Sequence, residues 1–186
     1  MKLVSMSKDK VIAKLSEIFR QYGYEGTSLS IISEATGLGR ASLYHYFPKG
    51  KEEMAATVIE HTYSALEEHL LQPLQGDGEP VERIRAMCET INQFYGGGYY
   101  SCFLDTLSIG DSQALFQAPI QRTLNAWLNA LAQVLIEVGL DPESAHHRAE
   151  NAIIQVEGAL ILSRCLGNTA PFQRTIENLP KSLGLL

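Results

Sequence analysis

Apolar residues recur along this chain at steps of three and four, and no run alternates with period two, so the pattern predicts an all-α protein without sheet. Val11, Ile12, Leu15, Ile18, Phe19 and Tyr22 form one stripe of a first helix that ends near Gly23. Gly23 and Gly26 bracket a turn. Thr27 then offers a hydroxyl cap to a short second helix over about 28–36, which Gly37 ends because glycine tolerates left-handed dihedrals. A third helix begins at Gly39 or Arg40 and must stop by Phe47, since Pro48 disfavours helical geometry in the residue before it.

The pattern continues with a fourth helix over about 51–71, a loop in the run PLQGDGEP at 73–80, and a fifth helix over about 81–95. Gly96, Gly97 and Gly98 break that helix, and 102–109 supports one or two further turns. Two long periodic runs follow, 112–138 and 143–166, separated by Gly139 and an Asp141-Pro142 start signal, with a last short helix at about 172–179. The reading is therefore about nine helices. Residues 1–50 are expected to form one small domain of three short helices and 51–186 a larger helical domain. No internal repeat or low-complexity tract interrupts either part.

Composition alters this picture mainly through charge. At 45% hydrophobic and 19% charged residues the chain is an ordinary globular one. Its formal net charge of −6 argues against a nucleic-acid partner until it is divided along the sequence. Residues 1–51 carry eight Lys and Arg against four acids, leaving +4 there and −10 in the remainder. An acidic body is compatible with one end docked on phosphates, because charge is screened beyond about 8–10 Å at physiological salt.

Three widely spaced cysteines, Cys88, Cys102 and Cys165, suggest neither a disulfide framework nor zinc, and fit a reducing compartment. Cys88 and Cys102 can in principle sense thiol oxidants, although isolated cysteines mostly behave as small buried hydrophobes. The opening MKLVSMSKDK lacks the apolar run of a signal peptide. Asn129, Gln133 and Glu137 interrupt the longest apolar stretch, so a soluble, cytoplasmic protein without a membrane partner is expected.

At 100° per residue the third helix brings Leu43 and Phe47 together as buried anchors. Its opposite face has Ala41, Ser42 and His45 at the centre, Tyr44 and Tyr46 on the flanks, and no acid. Arg40 sits in the first turn. Such a face suits a helix lying among phosphates and base edges, and it also fits the plain surface of a three-helix subdomain. No nucleophile elbow, phosphate loop or His-Glu-x-x-His is present, so no enzyme is expected. The adjacent His146 and His147 point about 100° apart on a helix and cannot chelate one metal.

The segment TSLSIISEATGLGRASLYHYFPKGKEEM, Thr27 to Met54, resembles the DNA-binding signature of the TetR repressor family. Gly37, Leu43, Tyr44, Tyr46, Phe47 and a Lys before the fourth helix stand in family order. The resemblance implies that the second helix starts on phosphate, that the third enters the major groove, and that a tyrosine and a lysine near its end clamp the backbone. Thr27, Tyr46 and Lys51 become phosphate contacts, with Ser28 and Lys49 beside them. Arg40, Ala41, Ser42 and His45 become the base-facing set, and Tyr44 fits either role. Three departures stand out: Gly39 where Ser or Thr usually caps, Thr36 where Ala is usual, and one extra residue in PKGKEE. That longer form resembles the branch typified by lincomycin-resistance repressors.

The resemblance also implies an inducer pocket and a dimer interface in the body. Tyr63, Tyr95, Tyr99, Phe103 and Trp127 come from an aromatic-rich middle that suits an apolar pocket, and aromatic residues at helical spacing equally describe plain core. The glycine run beside Tyr99 leaves backbone groups available to a ligand, or makes a floppy loop. Glu157 lies among apolar neighbours, where it orients a cationic ligand, points to solvent or pairs with an Arg. Ala149, Ala152, Ile153, Val156, Ala159, Leu160, Phe172 and Ile176 are the expected dimer surface. The expected protein is thus a homodimeric repressor on a palindromic operator in double-stranded DNA, released by a small inducer and needing no cofactor or metal. The alternative is a helical binding or scaffold protein that keeps the fold without reading an operator.

Overall fold

In the computed structural model, which describes residues 6–110 and 113–185, nine helices follow one another without a strand among the described residues. They are α1 Lys8–Gly26, α2 Leu29–Thr36, α3 Arg40–Tyr46, α4 Lys51–Leu66, α5 Pro80–Phe94, α6 Phe103–Leu107, α7 Gln113–Glu137, α8 Pro142–Leu166 and α9 Ala170–Ser182. The expected first residue of the long helix, Ser112, lies outside the described residues. Asp141 caps α8 as its sequence suggests, accepting from the Ser144 amide at 3.0 Å.

Two compact units make up the described chain. The residues up to Tyr63 join Phe103–Ile120 in one, and Ser64–Cys102 joins the residues from Gln121 onward in the other. The first unit is larger than the expected 1–50 segment because it takes in most of α4, all of α6 and the start of α7. Its core holds Val11, Leu15, Phe19, Ile32, Leu43, Phe47, Met54 and Val58, all fully buried. Phe103 and Phe116 are buried in the same unit, with Phe103 6.4 Å from Phe19 between ring centroids.

The backbone beyond α4 departs from the expected loop. A π-helical turn at Glu67–Leu71 and a helical turn at Gln72–Leu74 carry the helix on, so Pro73 lies inside it. Proline has no N–H to give the carbonyl four residues back, and its ring crowds that carbonyl. The wider π turn makes room for it. The orphaned His69 carbonyl accepts the Thr90 hydroxyl of α5 at 3.1 Å.

The helix end at Leu74 is held by a side chain of the second unit. Arg83, only 7% exposed, donates to the Leu74 carbonyl at 2.7 Å and is ion-paired with Glu137 near the end of α7. The end of α5 is fixed more tightly. Gly96, Gly97 and Gly98 all have positive φ, and the turn they make lies against α9. Gln173 of α9 donates to the Gly97 carbonyl at 2.7 Å and to Asn92 at 3.2 Å. The Tyr95 ring meets Phe172 edge-on at 6.0 Å. The glycine run is therefore a packed corner, not a floppy loop.

Candidate nucleic-acid interface

The reading element begins where α1 fails. Gly23 leaves the helical region at φ 66°, and the Thr27 hydroxyl donates back to its carbonyl at 2.6 Å. Thr27 is 1% exposed, which corrects two expectations placed on it. Its hydroxyl closes α1 and does not cap α2, and its side chain has almost no surface to offer a phosphate. Ser28 is the cap: it is exposed, and its oxygen accepts from the Ile31 amide at 3.3 Å. The exposed hydroxyl at the start of α2 is therefore that of Ser28, one residue beyond Thr27.

The turn into α3 explains the departure at Thr36. Gly37 ends α2 in the left-handed conformation at φ 68°. The Thr36 hydroxyl donates to the Ile32 carbonyl at 2.6 Å and accepts the Leu38 amide at 3.3 Å, so a buried side chain spans the turn. Gly39 begins α3 without a side-chain cap. Leu43 and Phe47 are both fully buried, as the helical projection predicts. Arg40, Ala41, Tyr44 and His45 are exposed and Ser42 half-buried, leaving an outward face with no carboxylate on α3.

The flanks are built by contacts the sequence does not announce. The extra residue in PKGKEE is accommodated by Gly50, which has φ 70° and is covered by the Tyr44 ring; a Cβ there would lie 3.3 Å from the ring. The backbone N–H of exposed Lys49 donates to the Glu53 carboxylate at 2.8 Å, fixing the entry to α4. The Tyr46 hydroxyl donates to the Met6 carbonyl at 2.9 Å, and the His45 ring meets the Tyr46 ring edge-on at 5.8 Å. Lys51 is half-buried, its ammonium 2.9 Å from the Tyr24 carbonyl and 4.2 Å from the centroid of the Tyr24 ring. Burial, and then the Glu52 and Glu25 carboxylates, push the Tyr24 phenol above its ordinary 10.0, so the ring under Lys51 is neutral.

In the body the expected ligand residues divide between the two units. Tyr63 and Phe103 belong to the first, half-buried and 1% exposed. In the second, Tyr95 is 6% exposed, and its hydroxyl lies 3.4 Å from half-buried Glu157. Trp127 is buried, with its ring N–H 3.5 Å from the Met87 sulfur. Tyr99 differs from expectation: at 81% exposed it lines no enclosed space in the protomer. Cys88 is buried, and desolvation followed by Glu89 raises its thiol to about 12, so it holds no thiolate at neutral pH.

The expected dimer residues also need correction. Ala149, Ala152, Val156, Ala159, Leu160, Phe172 and Ile176 are all buried inside the protomer, and Ile153 is half-buried. A side chain without accessible surface has nothing left to bury on a second copy. The outward face of α8 instead exposes Ile154, Ile161, Leu162 and Leu166, with Gly158 also open to solvent.

Known proteins match this arrangement along nearly its whole length. Residues 11–58 match the family described as bacterial regulatory proteins of the tetR family, and residues 101–178 match the C-terminal domain of LmrA/YxaF-like transcriptional regulators. The helix-turn-helix-type transcriptional regulator YxaF of Bacillus subtilis is 25% identical over 94% of this chain and 93% of its own. The regulator LmrA of the same organism is 23% identical over 95% of this chain and 96% of its own. A TetR transcriptional regulator from Legionella pneumophila superimposes with a TM-score of 0.82 at 22% identity, covering 97% of this chain and 98% of that one, a likeness of fold.

Proposed function

This chain belongs to the TetR family of transcriptional regulators, in its LmrA/YxaF-like branch, and from that premise we propose that it is a dimeric repressor of an inverted-repeat operator, released by a small molecule. The observation that carries the DNA-reading role is α3 itself. Leu43 and Phe47 anchor one side, which turns Arg40, Ala41 and His45 outward together, with Ser42 at the margin and no acid among them. A helix of this kind reads base edges in a major groove, while Ser28, Lys49 and Lys51 supply phosphate contacts around it. A scaffold protein would have no need of an acid-free outward face next to a basic rim.

Base readers and phosphate contacts separate by experiment. His45→Ala and Arg40→Ala should each change the sequence recovered by binding-site selection and cost about 1 to 3 kcal/mol on the wild-type site, as lost base contacts do. Lys49→Ala should weaken every duplex alike and reduce the salt dependence. Recovery of the unchanged motif at unchanged affinity by His45→Ala would remove that residue from the reading set.

The inducer reading rests on the second unit, where the Glu157 carboxylate lies 3.4 Å from the hydroxyl of buried Tyr95 and Trp127 is buried in the same unit. A small, largely apolar molecule with one polar or cationic group fits that chemistry. Release requires the ligand to favour a DNA-incompetent state by differential affinity, for which a coupling of about 1 to 3 kcal/mol is typical. The proposed carrier is α4, which starts with Lys51 and continues as one helical run to Leu74.

A further inference from the structure

Lys51 occupies an unusual electrostatic position. It is the first residue of α4, where the helix dipole disfavours a cation, and Glu52 and Glu53 beside it are the charges that this end prefers. Its ammonium turns instead to the end of α1, where cations are favoured. There it finds the Tyr24 carbonyl at 2.9 Å and the face of the Tyr24 ring at 4.2 Å. One ammonium hydrogen goes to the carbonyl and another side of the group rests on the ring. A third hydrogen is left for an anion.

Tyr24 does more than receive Lys51. Its carbonyl also accepts the Thr27 amide at 3.2 Å, which ties the same residue to the start of α2. Its ring runs nearly parallel to Phe19 of α1, 16° from coplanar at 6.2 Å, and meets Phe116 of α7 edge-on at 5.1 Å. Phe116 is 2% exposed and lies in the 103–120 segment, which packs with the N-terminal helices in one compact unit although it follows α5 in the chain. The neighbouring backbone is close too: a Cβ on Gly23 would lie 3.6 Å from the Thr106 carbonyl oxygen of α6.

We propose that Tyr24 is a positioning residue for DNA binding: its carbonyl and ring seat the Lys51 ammonium for phosphate, and its edge contact with Phe116 makes that seat answer to the 103–120 segment. This rests on the DNA-binding reading above and adds to it a second route, which reaches Lys51 through α1 rather than along the length of α4, by which the 103–120 segment meets the phosphate contacts. A displacement of Phe116 tilts the Tyr24 ring, and the ammonium resting on that ring moves with it.

The test uses full-length protein and two readouts. In lysine-labelled NMR spectra of the free protein, the Lys51 ε-methylene protons should resonate upfield of the other lysines because of the ring beneath them. Tyr24→Phe should keep that shift, Tyr24→Leu should abolish it, and Phe116→Leu should change it. On a duplex selected by the wild-type protein, and on a random duplex of equal length, Tyr24→Leu should weaken binding alike and lower the slope of log affinity against log salt by about 0.9 per protomer. Lys51→Ala should do the same, the double variant no more, and Tyr24→Phe should restore wild-type behaviour. An ordinary Lys51 shift in the wild type, a shift that ignores Phe116→Leu, or a wild-type slope in folded Tyr24→Leu overturns the proposal. If the wild type binds no duplex, the DNA-binding reading fails on its own, while the Lys51 shift still decides whether the seat exists. If Tyr24→Leu does not fold, the wild-type and Phe116→Leu spectra decide it.

Discussion

Replacing Leu162 with Arg should convert the protein to monomers and weaken operator binding by at least about a hundredfold, because two reading heads joined in one dimer gain that much from each other. The contact surface is the outward face of α8. Ile154 is 59% exposed, Ile161 43%, Leu162 49% and Leu166 58%, a long row of large apolar side chains on a helix whose other side is already buried. Counted from Ile154 the others follow at seven, eight and twelve residues, which places them along one side of the helix. Gly158 lies within it, and a Cβ there would meet nothing within 4 Å, so a second helix has room to approach. A two-fold partner presenting the same stripe would complete a helical bundle of the kind that closes symmetric dimers. Arg at 162 puts an unpaired charge into the centre of that contact. Val156→Arg should behave differently. Val156 is fully buried in the protomer, so its charge should unfold the chain rather than dissociate it. Sedimentation equilibrium with far-UV circular dichroism distinguishes the outcomes, and a folded, dimeric Leu162→Arg would place the interface elsewhere.

Gly98→Ala should be the most destabilising single-methyl change in the body, by about 2 to 5 kcal/mol. Two costs combine there. Gly98 has φ 98°, outside the range an L-residue adopts comfortably, which costs about 1 to 2 kcal/mol. Its added Cβ would lie 2.9 Å from three carbon atoms of Phe172, a fully buried ring that cannot retreat, and such overpacking costs about 1 to 3 kcal/mol. Gly139 provides the control. Its φ of 97° is nearly the same, but a Cβ there would meet nothing within 4 Å, so Gly139→Ala should lose only the backbone part. The difference in urea midpoints at equal m-value isolates the clash with Phe172. Equal losses at the two positions would mean that the corner between α5 and α9 is loose.

The sequence made most of the helices legible because they carry a one-sided apolar stripe, and it made α3 legible because two buried positions, Leu43 and Phe47, orient the residues of a seven-residue helix. It was less informative where a helix is apolar on both sides. On α8 the small residues Ala149, Ala152 and Ala159 look like a surface for close helix approach, yet they face the protomer's own core, and the larger Ile161 and Leu162 face outward. Periodicity fixes which residues share a face without saying what that face meets. Pro73 marked a helix end on local grounds, and the Thr90 hydroxyl, distant in sequence, supplied the partner that let the helix continue. Thr27 and Ser28 both carry a capping oxygen, and in the fold Thr27 turns back to the carbonyl of Gly23, which has positive φ. The Lys51 seat depends on Tyr24 and Phe116 meeting across the fold, which no local pattern encodes.

Selection of duplexes from a random pool by the full-length wild-type protein tests the repressor reading most directly. The account predicts an enriched inverted repeat whose half-site centres lie about one helical turn apart, or a multiple of it, bound with a stoichiometry of at least two protomers per site. Enrichment of a site without two-fold symmetry, or no enrichment over the starting pool, would contradict it.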